Sequence, residues 1–247
     1  MSRLVAWRGF ALTILGALAL WEALYFLVGE IALRSPAQTV RLTLALIERP
    51  TFWPHAVESL TAFAAAICIA VVLGLAIGLT LGFRKLAGEV FEPVLVAVYS
   101  LPKVTLYPIL LLVFGLGISA KIAFGALHGF IPIALFTMNA VRNVKPILLK
   151  TGRVLDFTPT ETATRILIPA ALPEIFTGIR IGFSLTLIGT VLGEMFASQR
   201  GLGYMLMSAI GLHNVELIMS LTFLLTLFAF LVGGALLAVD RHLRARW

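Results

Sequence analysis

Six long apolar runs alternate with short polar ones along the chain, and each is close to the roughly 20 residues a helix needs to cross a bilayer. They fall at about 9–29, 57–82, 91–114, 120–141, 171–197 and 216–239. Between the first two, RSPAQTVRLTLALIERP has the spacing of a short amphipathic helix, with Ser35 as N-cap, Pro36 as first helical residue and Pro50 beyond its end. A further short helix is expected to follow SQRGLGYMLMSAIG. No repeat or low-complexity linker divides the chain, so residues 1–247 form one domain. The pattern predicts an all-α, polytopic membrane protein of about six transmembrane helices.

Composition agrees. The chain is 60% hydrophobic and 13% charged, with a mean hydropathy of +1.02. A soluble domain is about half apolar and about a quarter charged, and one soluble core could not hide so much apolar surface. The net charge of +7 does not point to nucleic acid, because no basic stripe is interleaved with aromatics. With the N-terminus in the cytoplasm, thirteen cations fall on that side: Arg3, Arg8, Arg84, Lys85, Arg142, Lys145, Lys150, Arg153, Arg165, Arg180, Arg241, Arg244 and Arg246. Five (Arg34, Arg41, Arg49, Lys121, Arg200) fall on the other, and Lys103 lies within a run. This bias puts both termini in the cytoplasm. The sequence ALA at 17–19 mimics a signal-peptidase site, yet the apolar run continues through Leu27 and Val28, which suits an uncleaved span. Cys68 alone can form no intrachain disulfide and is expected to be a small packing residue.

Glycines recur four apart at Gly74, Gly78 and Gly82, at Gly178 and Gly182, and at Gly189 and Gly193. Such spacing lets helices approach closely in lipid, which favours a tight bundle and a dimer. GLGISA, residues 115–120, fits a dinucleotide fingerprint only formally, since it follows a membrane run rather than a strand. There is no phosphate-binding loop or metal-spaced Cys/His set, and the histidines (His55, His128, His213, His242) are scattered. No cofactor is expected on this chain, and any ATP must be bound by another.

One polar island interrupts the pattern: GRVLDFTPTETATRILIP, residues 152–169, inside a loop of about 143–170. Thr158-Pro159-Thr160-Glu161 is a capping box. It starts a helix expected from about Pro159 to Ile168, ended by Pro169 and Pro173. PILLKTGRVLDF reads as a second short helix that turns near Asp156. Two capped helices at a sharp angle make a cytoplasmic knob with a defined surface, and a loop of this length normally has a task.

The island resembles the cytoplasmic motif of type I ABC importer permeases: E-A-A, three residues, G, nine residues, I-x-L-P. Aligned on Ile166-Leu167-Ile168-Pro169, its glycine position falls on Asp156 and its E-A-A positions on Lys150, Thr151 and Gly152. Asp156 suits that turn, because aspartate tolerates left-handed backbone better than most residues. RSPAQTVRLTLAL, HAVESLTAF, SLPKVTLYPILLLVFGLGISAK, LIPAALPEIFTGIRIG and GEMFASQRGLGYM follow in family order and look most like the nitrate, sulfonate and taurine branch. The resemblance implies a homodimeric permease in a bacterial inner membrane, two cytoplasmic ATPase subunits that hold ATP and Mg, and a soluble or lipid-anchored binding protein. It also implies that the knob is a coupling-helix pair between spans four and five. Lys150, Thr151, Gly152, Asp156, Phe157, Thr160, Glu161, Arg165 and Pro169 would form the ATPase dock, with Phe157 as its exposed anchor.

For the path, YSLPKVTLYP has Pro102 and Pro108 breaking the third span and Lys103 near mid-membrane. An intramembrane lysine either serves a function, pairs internally with Glu22 or Glu194, or snorkels to one surface. Tyr99, Ser100, Thr105, Tyr107, Ser184 and Thr186 are further candidates, and Glu194 would serve as a gate contact or a helix cap. Phe114, Phe130 and Phe136 read as packing. The chain is expected to move a small organic anion by alternating access, with no covalent chemistry. The competing readings are an ion-coupled secondary transporter, which would need several mid-span carboxylates, and a membrane enzyme, which would need a catalytic constellation.

Overall fold

The structure, a computed structural model, describes residues 2–196 and 198–244, with backbone only for 2–7 and 10. Ala197 and Arg246 lie outside the described residues, as does the side chain of Arg3. Among the described residues eleven α-helices follow one another: α1 (Ser2–Val28), α2 (Pro36–Ile47), α3 (Trp53–Phe83), α4 (Lys85–Ser100), α5 (Tyr107–Phe114), α6 (Ile118–Arg142), α7 (Pro146–Val154), α8 (Pro159–Thr162), α9 (Ile168–Phe196), α10 (Leu202–Gly211) and α11 (Val215–Arg244). Five helices among the described residues are long and apolar enough to cross a membrane, and a bent pair makes a sixth candidate.

That bent pair is the third expected span. Lys85–Ser100 meets Lys103–Phe114 at 88°. Leu101 is extended (φ −64, ψ 139), as the ring of the following Pro102 requires. Pro108 breaks nothing: it sits in the first turn of α5, where a helix needs no donor. The short helix expected to follow SQRGLGYMLMSAIG lies within that stretch, as α10.

α3, α6 and α9 form the core. Its close approach comes from the glycines. A Cβ at Gly74, Gly78 or Gly82 of α3 would stand 2.6 Å from Ile133 Cβ, 2.5 Å from Thr137 Cβ or 2.8 Å from Val141 Cβ of α6. In α9, Gly178 faces Phe136, Gly182 faces Ile133 and Gly189 faces His128. These faces are therefore spent within one chain, and the ladders supply no dimer surface. α1 stands apart, tied by the Trp21 indole N–H to Arg34 O at 3.0 Å. At the turn that follows it, Glu30 accepts from Gln38 and Tyr25 and pairs with Arg34, which together hold its carboxyl below the usual range. Arg34 also reaches Glu216 of α11 at 3.1 Å.

Candidate functional site

The knob is built as two legs with a left-handed corner. α7 closes with Leu155 N–H on Thr151 O at 3.0 Å, Asp156 N–H on Arg153 O at 3.2 Å and Phe157 N–H on Gly152 O at 2.9 Å. The last bond is the six-to-one closure that usually ends on glycine. Asp156 supplies the required φ of 50° here. Thr158 then caps α8. Its Oγ1 accepts the Glu161 amide at 3.2 Å, and Glu161 Oε2 accepts the Thr158 amide at 3.1 Å and its hydroxyl at 3.0 Å. Buried Gly152 lets the legs touch, since a Cβ there would lie 2.8 Å from Ile166 Cδ1.

The second leg does not end at Pro169 or Pro173. α8 runs through a π turn (Ala163–Leu167) into α9, one helical rod from Pro159 to Phe196. In that turn Ile168 N–H reaches back to Ala163 O. Such a widened turn relieves the clash of a proline ring with the carbonyl four residues earlier, so Pro169 is passed. Pro173 stays inside α9, where packing on α6 outweighs one missing bond. The base of the knob rests on a cluster of Ala140, Val141, Val144, Ala171 and Ile175. Arg142 ties it to α4 through Glu92 at 2.7 Å and Glu89 at 3.9 Å.

Phe157 is not the most exposed apolar side chain here. It is half-buried, under the Arg165 guanidinium at 5.3 Å, while Arg165 also pairs with Glu161 at 3.3 Å. The most exposed apolar groups are Val154 (81%), Ile147 (63%) and Leu155 (57%). The sequence reading missed them because short apolar stretches carry no sign of which side faces out. Lys150, Thr151 and Thr160 are also exposed, and Pro169 is half-buried.

The eight path candidates do not converge. Tyr99 and Ser184 line one cleft with Arg180, Ile181, Leu185 and Gly233. Lys103 joins through Tyr99: its Nζ donates to Tyr99 O at 2.9 Å and stands 5.0 Å from the ring centroid. It pairs with neither Glu22 nor Glu194, and is in contact range of no carboxylate among the described residues. Ser100 and Thr105 are exposed and donate to Val96 O and Pro102 O. Tyr107, Thr186 and Glu194 are buried inside the protomer. Tyr107 donates to Gly193 O at 2.6 Å. Thr186 packs over Gly129.

Glu194 is a tie. Its carboxylate accepts from Ser59 Oγ at 2.7 Å and from the Gly203 amide at 2.9 Å, while Ser59 Oγ accepts the Leu202 amide. Nearby, Lys121 donates to Glu58 and Arg200 O, and His55 Nδ1 accepts the Gly201 amide. These bonds hold the 198–203 loop onto α3, α6 and α9. Arg180 does not flank a span: it sits three turns into α9, 3.9 Å from Asp240 of α11. Buried Asp240 also accepts from Arg244 at 3.2 Å and from Thr177 at 3.4 Å. The only sequence signal for this clamp was one aspartate near the end of an apolar run. Among the described residues no group of His, Cys, Asp or Glu is placed to hold a metal ion.

The geometry has counterparts among known proteins. Residues 70–247 match the family described as "Binding-protein-dependent transport system inner membrane component". The chain is 28% identical over 240 residues to the taurine transport system permease protein TauC of Escherichia coli (strain K12), covering 93% of this chain and 87% of that protein. It is 30% identical over 244 residues to the riboflavin transport system permease protein RibX of Chloroflexus aurantiacus (strain ATCC 29366 / DSM 635 / J-10-fl), covering 97% and 90%. In fold it is similar to a chain of the inward-facing MetNI methionine ABC transporter, with a TM-score of 0.69 at 20% identity over 79% of this chain and 99% of that one. An ion-coupled secondary transporter finds no support in these likenesses. The chain belongs to the binding-protein-dependent transport system inner membrane component family, and it is a membrane-spanning permease subunit of an ABC importer.

Proposed function

We propose that two copies of this chain form one path, that the 143–170 knob faces the cytoplasm, and that each knob docks into a separate ATPase subunit carrying ATP and Mg. The observation that carries this reading is the knob itself. It presents exposed Val154 and Leu155 beside a capped corner and exposed Ile147 in the first turn of α7, and its second leg continues as one rod to Phe196. Exposed apolar groups clustered on a polar projection mark a partner surface. A rod moves as a unit, so displacement at the knob reaches the far end of α9. Both termini would lie in the cytoplasm of an inner-membrane protein, and a soluble or lipid-anchored binding protein would deliver substrate from the other side.

The cargo we propose is a small organic anion. Relatives named for taurine and for riboflavin do not choose a substrate between them; the charges near one cleft are what support an anion. The Tyr99–Ser184 cleft holds the Arg180 guanidinium, and Lys103 stands over Tyr99 without a carboxylate of its own. Arg180 shares its charge with Asp240 at 3.9 Å, so Lys103 is the cation that a sulfonate, carboxylate or nitrate group would meet unpaired.

A Thr160→Cys variant in a Cys68→Ser background tests the arrangement. The cysteine should be closed to a membrane-impermeant thiol reagent in intact cells and should cross-link to the ATPase after lysis. Labelling from outside would overturn the orientation, and internal labelling without a cross-link would overturn the dock. The purified complex should weigh two permease chains and two ATPases; a single or unlike permease pair would overturn the homodimer.

A further inference from the structure

An apolar cavity of about 290 Å³ lies between α2, α3, α9, α10 and α11. Trp53, Leu60, Phe63, Val191, Leu225 and Phe228 supply much of its wall. We propose that it binds one acyl chain of a membrane phospholipid, drawn from the half of the bilayer that holds the α2–α3 turn.

The wall excludes polar ligands. Among the described residues only Ser59 and Thr190 bring hydroxyls to it, and both are committed: Ser59 to Glu194 and the Leu202 amide, Thr190 to Thr186 O. The Trp53 indole N–H is spent on Ile47 O at 3.1 Å. A buried water needs two to four polar partners, and an apolar cavity of about 150 Å³ stays dry yet takes a benzene. This cavity is nearly twice that size. Left empty, its lining would lose the dispersion contacts that close packing provides.

The way in is an exposed apolar stripe. Trp53, Val57 and Leu60 follow one side of α3 and are 52%, 59% and 57% exposed. Trp53 and Leu60 also line the cavity, so the exposed apolar surface of α3 continues into it. Tryptophan at this end is where an interfacial ring belongs.

The mouth favours a phosphate headgroup. Exposed Arg49 lies in the turn between lining residues Ile47 and Phe52, with its carbonyl accepting the Phe52 amide at 3.1 Å. Exposed Arg200 lies two residues before lining Leu202. Glu48, beside Arg49, is the one carboxylate in these turns, so two cations stand against one anion. Deeper in, Phe63 and Phe228 meet edge to face at 6.1 Å and close the bottom of the seam between α3 and α11.

Native mass spectrometry of the assembled complex, supplied with phospholipid in detergent, tests this. One phospholipid per permease chain should survive the activation that strips other lipid. Ala56→Phe, which fills the cavity, should abolish that adduct while the subunit composition stays intact. Wild-type protein with no retained lipid, or with detergent alone in its place, would overturn the proposal, as would an equal adduct in an intact Ala56→Phe complex. Should Ala56→Phe fail to assemble, a Trp7→Phe/Trp21→Phe/Trp247→Phe protein decides. Trp53 quenching by brominated phospholipid should saturate near one lipid per chain, and a rise that only follows the bulk brominated fraction would overturn the site.

Discussion

Replacing Asp156 by glycine and by valine separates backbone from side chain at the corner of the knob. Both changes remove the carboxylate. Only one of them suits the backbone, because Asp156 stands at φ 50° with Phe157 N–H closing on Gly152 O beside it. Left-handed geometry costs an ordinary L-residue about 1–2 kcal/mol, and β-branched valine stands at the unfavourable end. Glycine avoids that strain but loses roughly 0.5–1 kcal/mol through its freer unfolded chain. Asp156→Gly is therefore expected within about threefold of wild type for ATPase association. Asp156→Val should weaken it about five- to thirtyfold, the equivalent of 1–2 kcal/mol. The assay is titration of the ATPase onto nanodisc-embedded permease, beside thermal unfolding of the spans. The spans should melt as before, because strain confined to the corner is relieved by local opening of the knob while α3, α6 and α9 stay packed. Equal weakening by glycine and valine would refute the backbone argument and assign the effect to the carboxylate. No effect from valine would remove the corner from the dock.

Three further outcomes follow from the site. Val154→Ala with Leu155→Ala should reduce ATPase retention by about 2 kcal/mol or more, roughly thirtyfold; Phe157→Ala should cost less because its ring is half-buried against the knob, and the reverse order in a pull-down titration would restore Phe157 as the anchor. Lys103→Met should lower uptake into reconstituted vesicles while the complex stays assembled and at least as heat-stable, since a buried charge with no carboxylate is removed; unchanged uptake at subsaturating substrate would end its path role. Glu194→Ala should strand the Gly203 amide and the Ser59 hydroxyl, costing about 3 kcal/mol, and a melting temperature equal to wild type would show that the tie is not structural.

Element type was legible in the sequence because membranes leave few options. A bilayer satisfies no backbone groups, so apolar runs of spanning length must be helices, and the runs near 57–82, 120–141 and 216–239 became α3, α6 and α11 with small changes at their ends. Local chemistry was legible because it is short-range. The Thr158–Glu161 box and the left-handed Asp156 depend on neighbours within five residues, and both stand where the spacing put them. What the sequence could not assign was direction around a helix axis. Three glycines four apart announce a close partner without naming it, and only the packed structure turns that face toward α6 of the same chain. The same limit separates Tyr99 and Ser184, which meet in a cleft, from Tyr107, Thr186 and Glu194, which are buried in the protomer. It also hid the pairing of Arg180 with Asp240, sixty residues apart. In a chain this apolar, hydrophobicity shows which residues enter the membrane but cannot rank one apolar face against another, because lipid and protein interior solvate them alike. Which face is covered is decided by shape and by the few polar groups that must find each other across helices, and both exist only once the helices are packed.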